Sequence, residues 1–476
     1  MKASIPQQEQ IRSCLNEFGL TRQLKDEIYD HILSALEKEK GESFDLDKIK
    51  SHIKQDFSDI INQPKVVLRY KRLNTLFGWG VFLIALTTYW LTMEPTVSFW
   101  DCGEFIATAN KLQVGHQPGA PLFLMIGKMF TLLAMGETSR IAYWVNWSAA
   151  VASAATIMFL FWTITALALK VKSGKNLQSN TWAILAAGTI GALAYTFSDT
   201  FWFSAVESEV YALSSLFTAI TFWAVFRWES TADNRWLLFI AFIIGLSIGI
   251  HLLSLLIIPA VSLAWYFHHY SKTTFKGLLK AFLAGCAIVG LVQFIVIQYM
   301  VSFAAYTDLF FVNELKLPFG SGALTSLITI ALLLFSGVKY SIKKHYPRLN
   351  LALLSTVFLM FGFSSYMLII IRADAKTNIN LSNPDNPFSL FDYLSRNSYG
   401  STPLLYGQTF DAKNTANIPK EDTYRKGKTS YEVSGSRYQQ KFDRNLIFPR
   451  TYSQKPGHVQ YYRDWLDLGE NEGPDI

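Results

Sequence analysis

The segment "TVSFWDCGEFIATANKLQVGHQPGAPLFLMIGKMF", Thr96–Phe130, follows a long apolar run and decides how the chain is placed in a membrane. It begins with two acids, Asp101 and Glu104, continues through a histidine and a proline turn, and ends in a short apolar run that contains Lys128. A membrane span needs roughly 20 apolar residues. The short run, residues 120–135, is therefore better suited to an interfacial or re-entrant helix than to a span.

The composition of the whole chain is that of a multi-pass membrane protein. Of its 476 residues 50% are hydrophobic and 17% are charged, whereas soluble domains carry about 25% charged residues. Nearly every charge lies outside apolar blocks that are long enough to cross a bilayer. The net charge of +7 fits basic cytoplasmic loops, so no nucleic-acid partner is expected. The three cysteines form no disulfide or metal pattern.

This distribution divides the chain into three predicted regions. Residues 1–70 are polar, and their apolar residues recur at helical spacing, so we expect a small cytosolic helical domain that binds a cytosolic partner. Residues 75–371 form the predicted transmembrane domain. Residues 372–476 are polar and rich in Tyr and Asn, and they form the predicted external C-terminal segment.

The basic residues between the apolar blocks predict the topology. If residues 120–135 do not span, and block 236–267 is two short helices that meet near His251, four consecutive basic loops lie on the cytoplasmic side, as the positive-inside rule requires. The prediction is nine spans, a cytoplasmic N-terminus, an external C-terminus and an external segment 94–140. The four loops carry Lys170, Lys172 and Lys175; Arg227 and Arg235; Lys272, Lys276 and Lys280; and Lys339, Lys343, Lys344 and Arg348.

Asp101 and Glu104 are the candidate catalytic residues. They are three positions apart, so on a helix they share one face, and the preceding Phe99 and Trp100 would hold them at the level of the lipid headgroups. A structural interpretation is that they stabilise a helix N-terminus. The functional interpretation is a carboxylate general base at the boundary of water and lipid, with Asp101 as the base and Glu104 orienting it or the acceptor.

Two further acids, Glu207 and Glu209, lie at the predicted outer end of a span. Acids at the entrance of a bilayer cost free energy unless they are paired or functional. They are therefore either members of ion pairs with Lys111, Lys128 or Arg140, or substrate-binding groups and alternative bases.

Three more residues are assigned to substrate binding on the same predicted face: His116, His251 and Arg372. The histidines could equally be a turn residue and a packing residue. Arg372 ends the last predicted span, where a planar guanidinium suits bidentate phosphate binding, but a simple interfacial anchor explains it as well.

The location of these groups on one face favours a reaction at the membrane surface. A lipid-linked sugar presents its phosphate at the headgroups, where a carboxylate can deprotonate an acceptor hydroxyl while a cation stabilises the departing phosphate. One base suffices for an inverting substitution, because the lipid phosphate leaves without an acid.

Four runs of the sequence resemble a bacterial family of multi-pass proteins related to the protein O-mannosyltransferase-like transmembrane protein, and more remotely to GT-C glycosyltransferases. They are "SFWDCGEFIATANKLQVGHQPGAPLF", "FWFSAVESEVYALSSLF", "GLSIGIHLLSLL" and "YLSRNSYGSTPLLYGQTF". The resemblance implies an all-α, GT-C-like fold with a juxtamembrane helix in the bacterial inner membrane, and a periplasmic C-terminus. It implies a polyprenyl-phosphate sugar as donor and Asp101 and Glu104 as the acid pair, and it leaves the sugar and the acceptor unassigned. We expect a protein or glycan acceptor and no bound cofactor.

Two other functions are compatible with the sequence. A transporter or flippase for a lipid-linked or hydrophilic solute would show internal repeats and ionisable groups near the bilayer midplane, and the sequence shows neither. A membrane-anchored assembly protein would leave Asp101 and Glu104 without a role, so that their replacement would be harmless.

Overall fold

The computed structural model describes residues 5–17, 58–171, 177–400 and 402–469, together with Lys25, Ile28, Tyr29, Ile32 and Lys50. The chain divides into two units, Met1–Leu83 with Leu160–Ala194 and Ile84–Phe159 with Tyr195–Ile476. Much of the predicted domain 1–70 and the basic residues Lys172 and Lys175 lie outside the described residues, so the separate cytosolic domain stays a prediction.

The structure is mainly helical. The helices are α1 (Ile5–Glu17), α2 (Ser58–Thr92), α3 (Cys102–Lys111), α4 (Pro121–Thr131), α5 (Ile141–Val171), α6 (Leu177–Thr196), α7 (Asp199–Ala205), α8 (Val210–Thr231), α9 (Arg235–Ile248), α10 (Ile258–His269), α11 (Phe275–Gly290), α12 (Met300–Asn313), α13 (Ser321–Lys343), α14 (Pro347–Phe363), α15 (Met367–Asp374), α16 (Pro387–Leu394) and α17 (Pro456–Leu466). A 3₁₀ segment, Leu252–Ile257, precedes α10, and a π-helical segment, Leu291–Tyr299, joins α11 to α12.

Within the described residues, seven helical segments are long and apolar enough to cross a membrane. They are Val66–Thr92, Thr138–Val171, Val210–Thr231, Leu252–His269, Phe275–Asn313, Ser321–Lys343 and Pro347–Asp374. An eighth is obtained if Asn180–Thr196 and Asp199–Ala205, which meet at a bend of 70°, are one broken span. The chain is therefore a multi-pass protein with a helical membrane region.

The predicted break in block 236–267 is confirmed, because α9 ends at Ile248 and the next helical turn begins at Leu252. The short apolar helix within residues 120–135 is also present, as α4. The predicted count of nine spans requires α9 to cross as well. With 14 residues, α9 is about 21 Å long, against a hydrocarbon core of about 30 Å, so the count stays a prediction.

Close packing of α9 against α14 holds the chain that follows α9. A Cβ atom added to Gly245 would lie 2.1 Å from the carbonyl oxygen of Leu359, and one added to Gly362 would lie 2.4 Å from the backbone nitrogen of Leu246. The two backbones therefore touch, which only glycine permits. This contact positions the break between α9 and Leu252.

The C-terminal segment contains strands as well as helices. Strands β2 (Asn414–Lys426) and β3 (Tyr431–Phe442) form an antiparallel hairpin, and β1 (Tyr406–Gln408) pairs with β4 (Asn445–Ile447). The expectation of an all-α fold therefore holds for the membrane region and not for this segment. Its alternating polar residues leave most of the hairpin exposed, so no apolar stripe marked these strands in the sequence.

Tyr431 attaches the hairpin to the ends of α12 and α13. Its backbone nitrogen donates to Oδ1 of Asn313 over 2.8 Å, and Nδ2 of Asn313 donates to its carbonyl over 2.9 Å. Its hydroxyl donates to Oδ2 of Asp308 over 2.7 Å. The buried Asp308 also accepts the backbone N–H groups of Gly320 and Gly322 near the start of α13.

We expect Asp308→Asn to loosen the hairpin and to lower the stability of the protein by about 1–2 kcal/mol, because charge-assisted hydrogen bonds become neutral ones. Limited proteolysis at the lysines and arginines of the hairpin and thermal unfolding in detergent measure this. Asp422→Asn is the control, since Asp422 is exposed and its side chain accepts a hydrogen bond only from Ser436 among the described residues. Equal proteolysis in both variants would show that Asp308 does not hold the hairpin.

Candidate active site

Helix α3 carries the two predicted catalytic acids and is held by cations at its C-terminal end. Asp101 precedes its first residue and Glu104 lies in its first turn. The Nζ atom of Lys128 donates to the carbonyl of Asn110 over 2.5 Å. The guanidinium of Arg372 donates to the carbonyls of Leu112 over 2.5 Å and of Lys111 over 3.1 Å. Cations are favourable at a helix C-terminus, so both side chains fix the position of α3.

His116 connects the two acids. Its Nδ1 atom lies 3.0 Å from Oε1 of Glu104, which also accepts the backbone N–H of His116 over 2.6 Å. Its Nε2 atom lies 3.8 Å from Oδ2 of Asp101. Asp101 and Glu104 thus share a helix face, as predicted, and Glu104 orients the imidazole. The Asp101 side chain is 60% exposed and is accessible to a substrate.

The electrostatics of this group follow from its hydrogen bonds. The bond with Glu104 raises the pKa of His116, burial lowers it, and the net shift is upward. For Glu104, burial raises the pKa, but the hydrogen bonds from His116 lower it to a value below the usual one. Glu104 is therefore ionised near neutral pH, and an ionised partner at Nδ1 leaves Nε2 directed toward Asp101.

The loop that carries His116 is held by helix α16. The hydroxyl of Tyr393 donates to the carbonyls of Gly115 over 2.7 Å and of His116 over 3.2 Å. Gly119 has φ +77°, and a Cβ atom there would lie 2.5 Å from the Tyr393 hydroxyl. The loop and α16 therefore fit together only with glycine at this position.

Glu207 and Glu209 lie in the short loop before α8, and both are buried. Ser98 donates to Oε2 of Glu207 over 2.7 Å, and the thiol of Cys102 lies 3.8 Å from Oε1 of Glu209. No lysine or arginine in the described part of the chain forms a salt bridge with either acid, so the ion pairs considered from the sequence are not formed. Burial, and then the charges of Asp101 and Glu207, raise the pKa of Glu209 to about 7.

His251 lies in the break between α9 and Leu252. Its Nδ1 atom accepts the backbone N–H of Leu253 over 3.2 Å, so the proton of the neutral ring is on Nε2. The ring centroids of His251 and Tyr211 are 5.4 Å apart. Burial, and then the charge of Arg396, lower the pKa of His251, which keeps the ring neutral near pH 7.

A cavity of about 410 Å³ brings four predicted site residues together: Asp101, His116, Glu209 and His251. This volume is in the range of small-molecule sites. One part of the wall is apolar and includes Leu252, Leu253 and Leu256. Glu104 contacts the cavity only through His116, and neither Glu207 nor Arg372 lines it.

The cation that lines the cavity is Arg396, which was not among the site residues predicted from the sequence. It follows α16 and lies over the ring of Tyr399, 4.7 Å from its centroid. No carboxylate in the described residues forms a salt bridge with it. The sequence held one signal for its position, since "NPFS" forms a capping box that starts α16 at Pro387. A short helix there brings Arg396 beside the loop of His116.

No group of three or more His, Cys, Asp or Glu side chains in the described residues is arranged to hold a metal ion. The expectation that the donor substrate, and no bound cofactor, supplies the chemistry stays a prediction.

The part of the chain that carries most of this site is similar in sequence to known proteins. Residues 101–274 match the family model of the protein O-mannosyl-transferase TMEM260 N-terminal domain. Residues 400–476 match a family of unknown function, DUF8416. No solved structure matches the chain.

Two curated relatives are protein O-mannosyl-transferases. The chain is 26% identical over 140 residues to tmem260 of Dictyostelium discoideum, which is 29% of this chain and 15% of that protein. It is 31% identical over 157 residues to TMEM260 of Mus musculus, which is 33% of this chain and 20% of that protein. The chain thus matches a fifth or less of the length of these relatives. Through residues 101–274 it is similar to the O-mannosyltransferase-like family of TMEM260, the family that its sequence motifs resemble.

Proposed function

We propose that the chain is a glycosyltransferase that moves a sugar from a polyprenyl-phosphate donor to an acceptor hydroxyl, such as that of a protein Ser or Thr, at the external face of the membrane. The observation that carries this proposal is the cavity that unites Asp101, Glu209 and Arg396 with a wall of leucines. Such a site matches a substrate with a sugar, a phosphate and an apolar chain. The names of the relatives make mannose the first sugar to test.

The donor would bind along the apolar wall. Leu253 and Leu256 are 59% and 67% exposed, so a prenyl chain can contact them from the lipid. Arg396 would then meet the donor phosphate, because it lines the same cavity and lacks a carboxylate partner among the described residues. Arg372 remains the sequence-based candidate for this role, but its Nε and Nη2 atoms already donate to the carbonyls at the end of α3.

Asp101 would act as the general base. It is exposed toward the cavity, so an acceptor hydroxyl can approach it from water. The hydroxyl oxygen would attack C1 of the sugar from the side opposite the phosphate, and Asp101 would accept the hydroxyl proton. His116, oriented by Glu104, would hold Asp101 in place. A single displacement of this kind inverts the anomeric centre, as expected of a GT-C-type enzyme.

The cavity also supports the predicted topology. Glu209 and His251 both line it, yet the candidate span Val210–Thr231 lies between them. In the proposed topology the chain returns to the same face through α9. The four candidate spans that follow His251, from Leu252–His269 to Pro347–Asp374, then bring Arg396 back to this face. Nine crossings and an external C-terminus satisfy these conditions.

We expect a cysteine at position 173 to be labelled from the cytoplasmic side only. Position 173 lies outside the described residues, in the first predicted basic loop after residues 94–140. Thr96→Cys, at an exposed position of that external segment outside the candidate spans, is the control and should react only from outside. Both variants need a Cys286→Ser background, because Cys286 is exposed. Labelling of position 173 from outside alone would contradict the topology and the unspanned helix α4.

The direct test of function is incubation of the purified protein with a panel of polyprenyl-phosphate sugars and an acceptor extract. Transfer of radiolabelled sugar to protein is the expected result. A transporter or flippase would instead move the lipid-linked sugar across vesicles without transfer. Binding of a protein partner with neither activity would indicate an assembly protein.

A further inference from the structure

Two carboxyl groups line the proposed donor site, which raises an electrostatic problem. The donor phosphate is negative, and its charge increases as the sugar departs. If Asp101 and Glu209 were both ionised, two negative charges would face the phosphate, and Arg396 would be the cation lining the cavity with them. Only one carboxylate is needed as a base, so the second must serve the reaction in another form.

The surroundings of the two acids differ. Asp101 is mostly exposed, and water stabilises its charged form. Glu209 is only 7% exposed, and its neighbours are the thiol of Cys102 and the acids Glu207 and Asp101. When the surroundings of two carboxyl groups differ in this way, their pKa values differ, and the two groups can take different protonation states and different roles.

We propose that Glu209 works as a neutral carboxylic acid that donates a hydrogen bond to the phosphate oxygen that leaves C1 of the donor sugar. The inference rests on the proposed glycosyltransferase function. It adds an acid to a reaction for which the sequence required only a base.

The step balances without any further reactant. The acceptor oxygen forms a bond to C1, and the bond between C1 and the phosphate oxygen breaks with its electron pair on that oxygen. Asp101 takes the acceptor proton. The proton of Glu209 stays on its carboxyl group and lies in the hydrogen bond to the departing oxygen, where negative charge develops. Arg396 meets the same charge as a cation.

Electrostatics support a neutral Glu209. Its pKa is raised to about 7, so the group is mostly protonated below neutral pH and ionises above it. The other ionisable groups that line the cavity are Asp101, His116, His251, Tyr211 and Arg396. The transfer rate should therefore fall as pH rises through about 7, because an ionised Glu209 repels the phosphate and offers no donor.

The pH dependence of Glu209→Gln tests this role, because the amide is a hydrogen-bond donor at every pH. For wild-type protein we expect kcat/KM to fall about tenfold per pH unit above about pH 7. Glu209→Gln should lose this decline and stay within about tenfold of wild-type activity at about pH 6, since one donor replaces another. Glu209→Ala should lose about 10- to 100-fold at about pH 6, where wild-type Glu209 is protonated, and it should show no decline above about pH 7.

Glu207→Gln is the matched control, since Glu207 is a buried neighbour that does not line the cavity. Glu207→Gln should retain the decline, displaced to slightly lower pH because one negative charge beside Glu209 is removed. A Glu209→Gln variant that keeps the decline, or that is as inactive as Glu209→Ala, would overturn the proposal.

Thermal unfolding separates this inference from the proposed function. A group whose pKa is higher in the fold than in the unfolded chain contributes stability at low pH, and this contribution is lost as pH rises through the folded pKa. The Tm of wild-type protein should therefore fall more between about pH 5 and about pH 8 than that of Glu209→Gln. Equal falls would refute a neutral Glu209. The expected difference, without transfer by wild-type protein from any donor, would refute the glycosyltransferase instead.

Discussion

Asp101→Asn is expected to lower the transfer rate about 10²- to 10⁴-fold, the usual effect of removing a general base. The amide has the size of the carboxylate but cannot accept the proton of the acceptor hydroxyl. Folding should be unaffected, because the side chain is 60% exposed and makes no capping hydrogen bond to α3. Initial rates with a polyprenyl-phosphate sugar, and donor affinity measured without acceptor, separate the loss of turnover from a loss of binding.

Asp199→Asn is the control for this variant. Asp199 is an exposed acid in the first turn of α7 and does not line the cavity. It should transfer sugar at the wild-type rate. Near-full activity of Asp101→Asn would place the base elsewhere in the site and would also remove the reason for His116 to be held between Glu104 and Asp101.

Arg396→Ala is expected to weaken donor binding about 10- to 100-fold, since a hydrogen bond between charged groups contributes about 1.5–3 kcal/mol. The effect should require the phosphate, so a free sugar should compete equally well with wild-type protein and variant. Arg396→Lys should recover only part of the affinity, because an ammonium cannot reproduce the bidentate geometry of a guanidinium.

Arg372→Lys is the comparison that distinguishes the role of Arg372 from that of Arg396. If Arg372 serves to hold the end of α3, the lysine should leave donor affinity unchanged and lower the thermal stability slightly, since one of two carbonyl contacts is lost. A weaker donor affinity in Arg372→Lys, with normal affinity in Arg396→Ala, would show that Arg372 and not Arg396 binds the donor phosphate.

Much of the candidate site could be predicted because placing polar and charged side chains beside membrane segments costs free energy. Acids beside apolar runs, such as Glu209, need a partner or a function, and the spacing of Asp101 and Glu104 put them on one helix face. The break near His251 followed from a block too long for one span. These features are local, and each could be recognised from a few neighbouring residues.

Other assignments depended on contacts between distant parts of the chain. From the sequence, Lys128 was a candidate partner of an acid and Arg372 a candidate ligand of phosphate. In the structure both donate to carbonyls at the end of α3. A free carbonyl at a helix end has no signature in the sequence, so this use of a cation could not be anticipated. The same holds for Asp308, whose partners Gly322 and Tyr431 are 14 and 123 positions away.

Local features of the sequence were enough to predict a multi-pass helical protein, the helix break near His251 and the cluster of acids near the first long loop, because a charge placed in lipid costs free energy wherever it lies along the chain. The three-dimensional fold was needed to show that Glu209 and His251 share a cavity with Asp101, that Arg396 is the cation facing them, and that Glu104 acts through His116. Those relations depend on how α16 and the break after α9 pack against the loop of His116, and packing over such distances is fixed by shape and burial in three dimensions rather than by spacing.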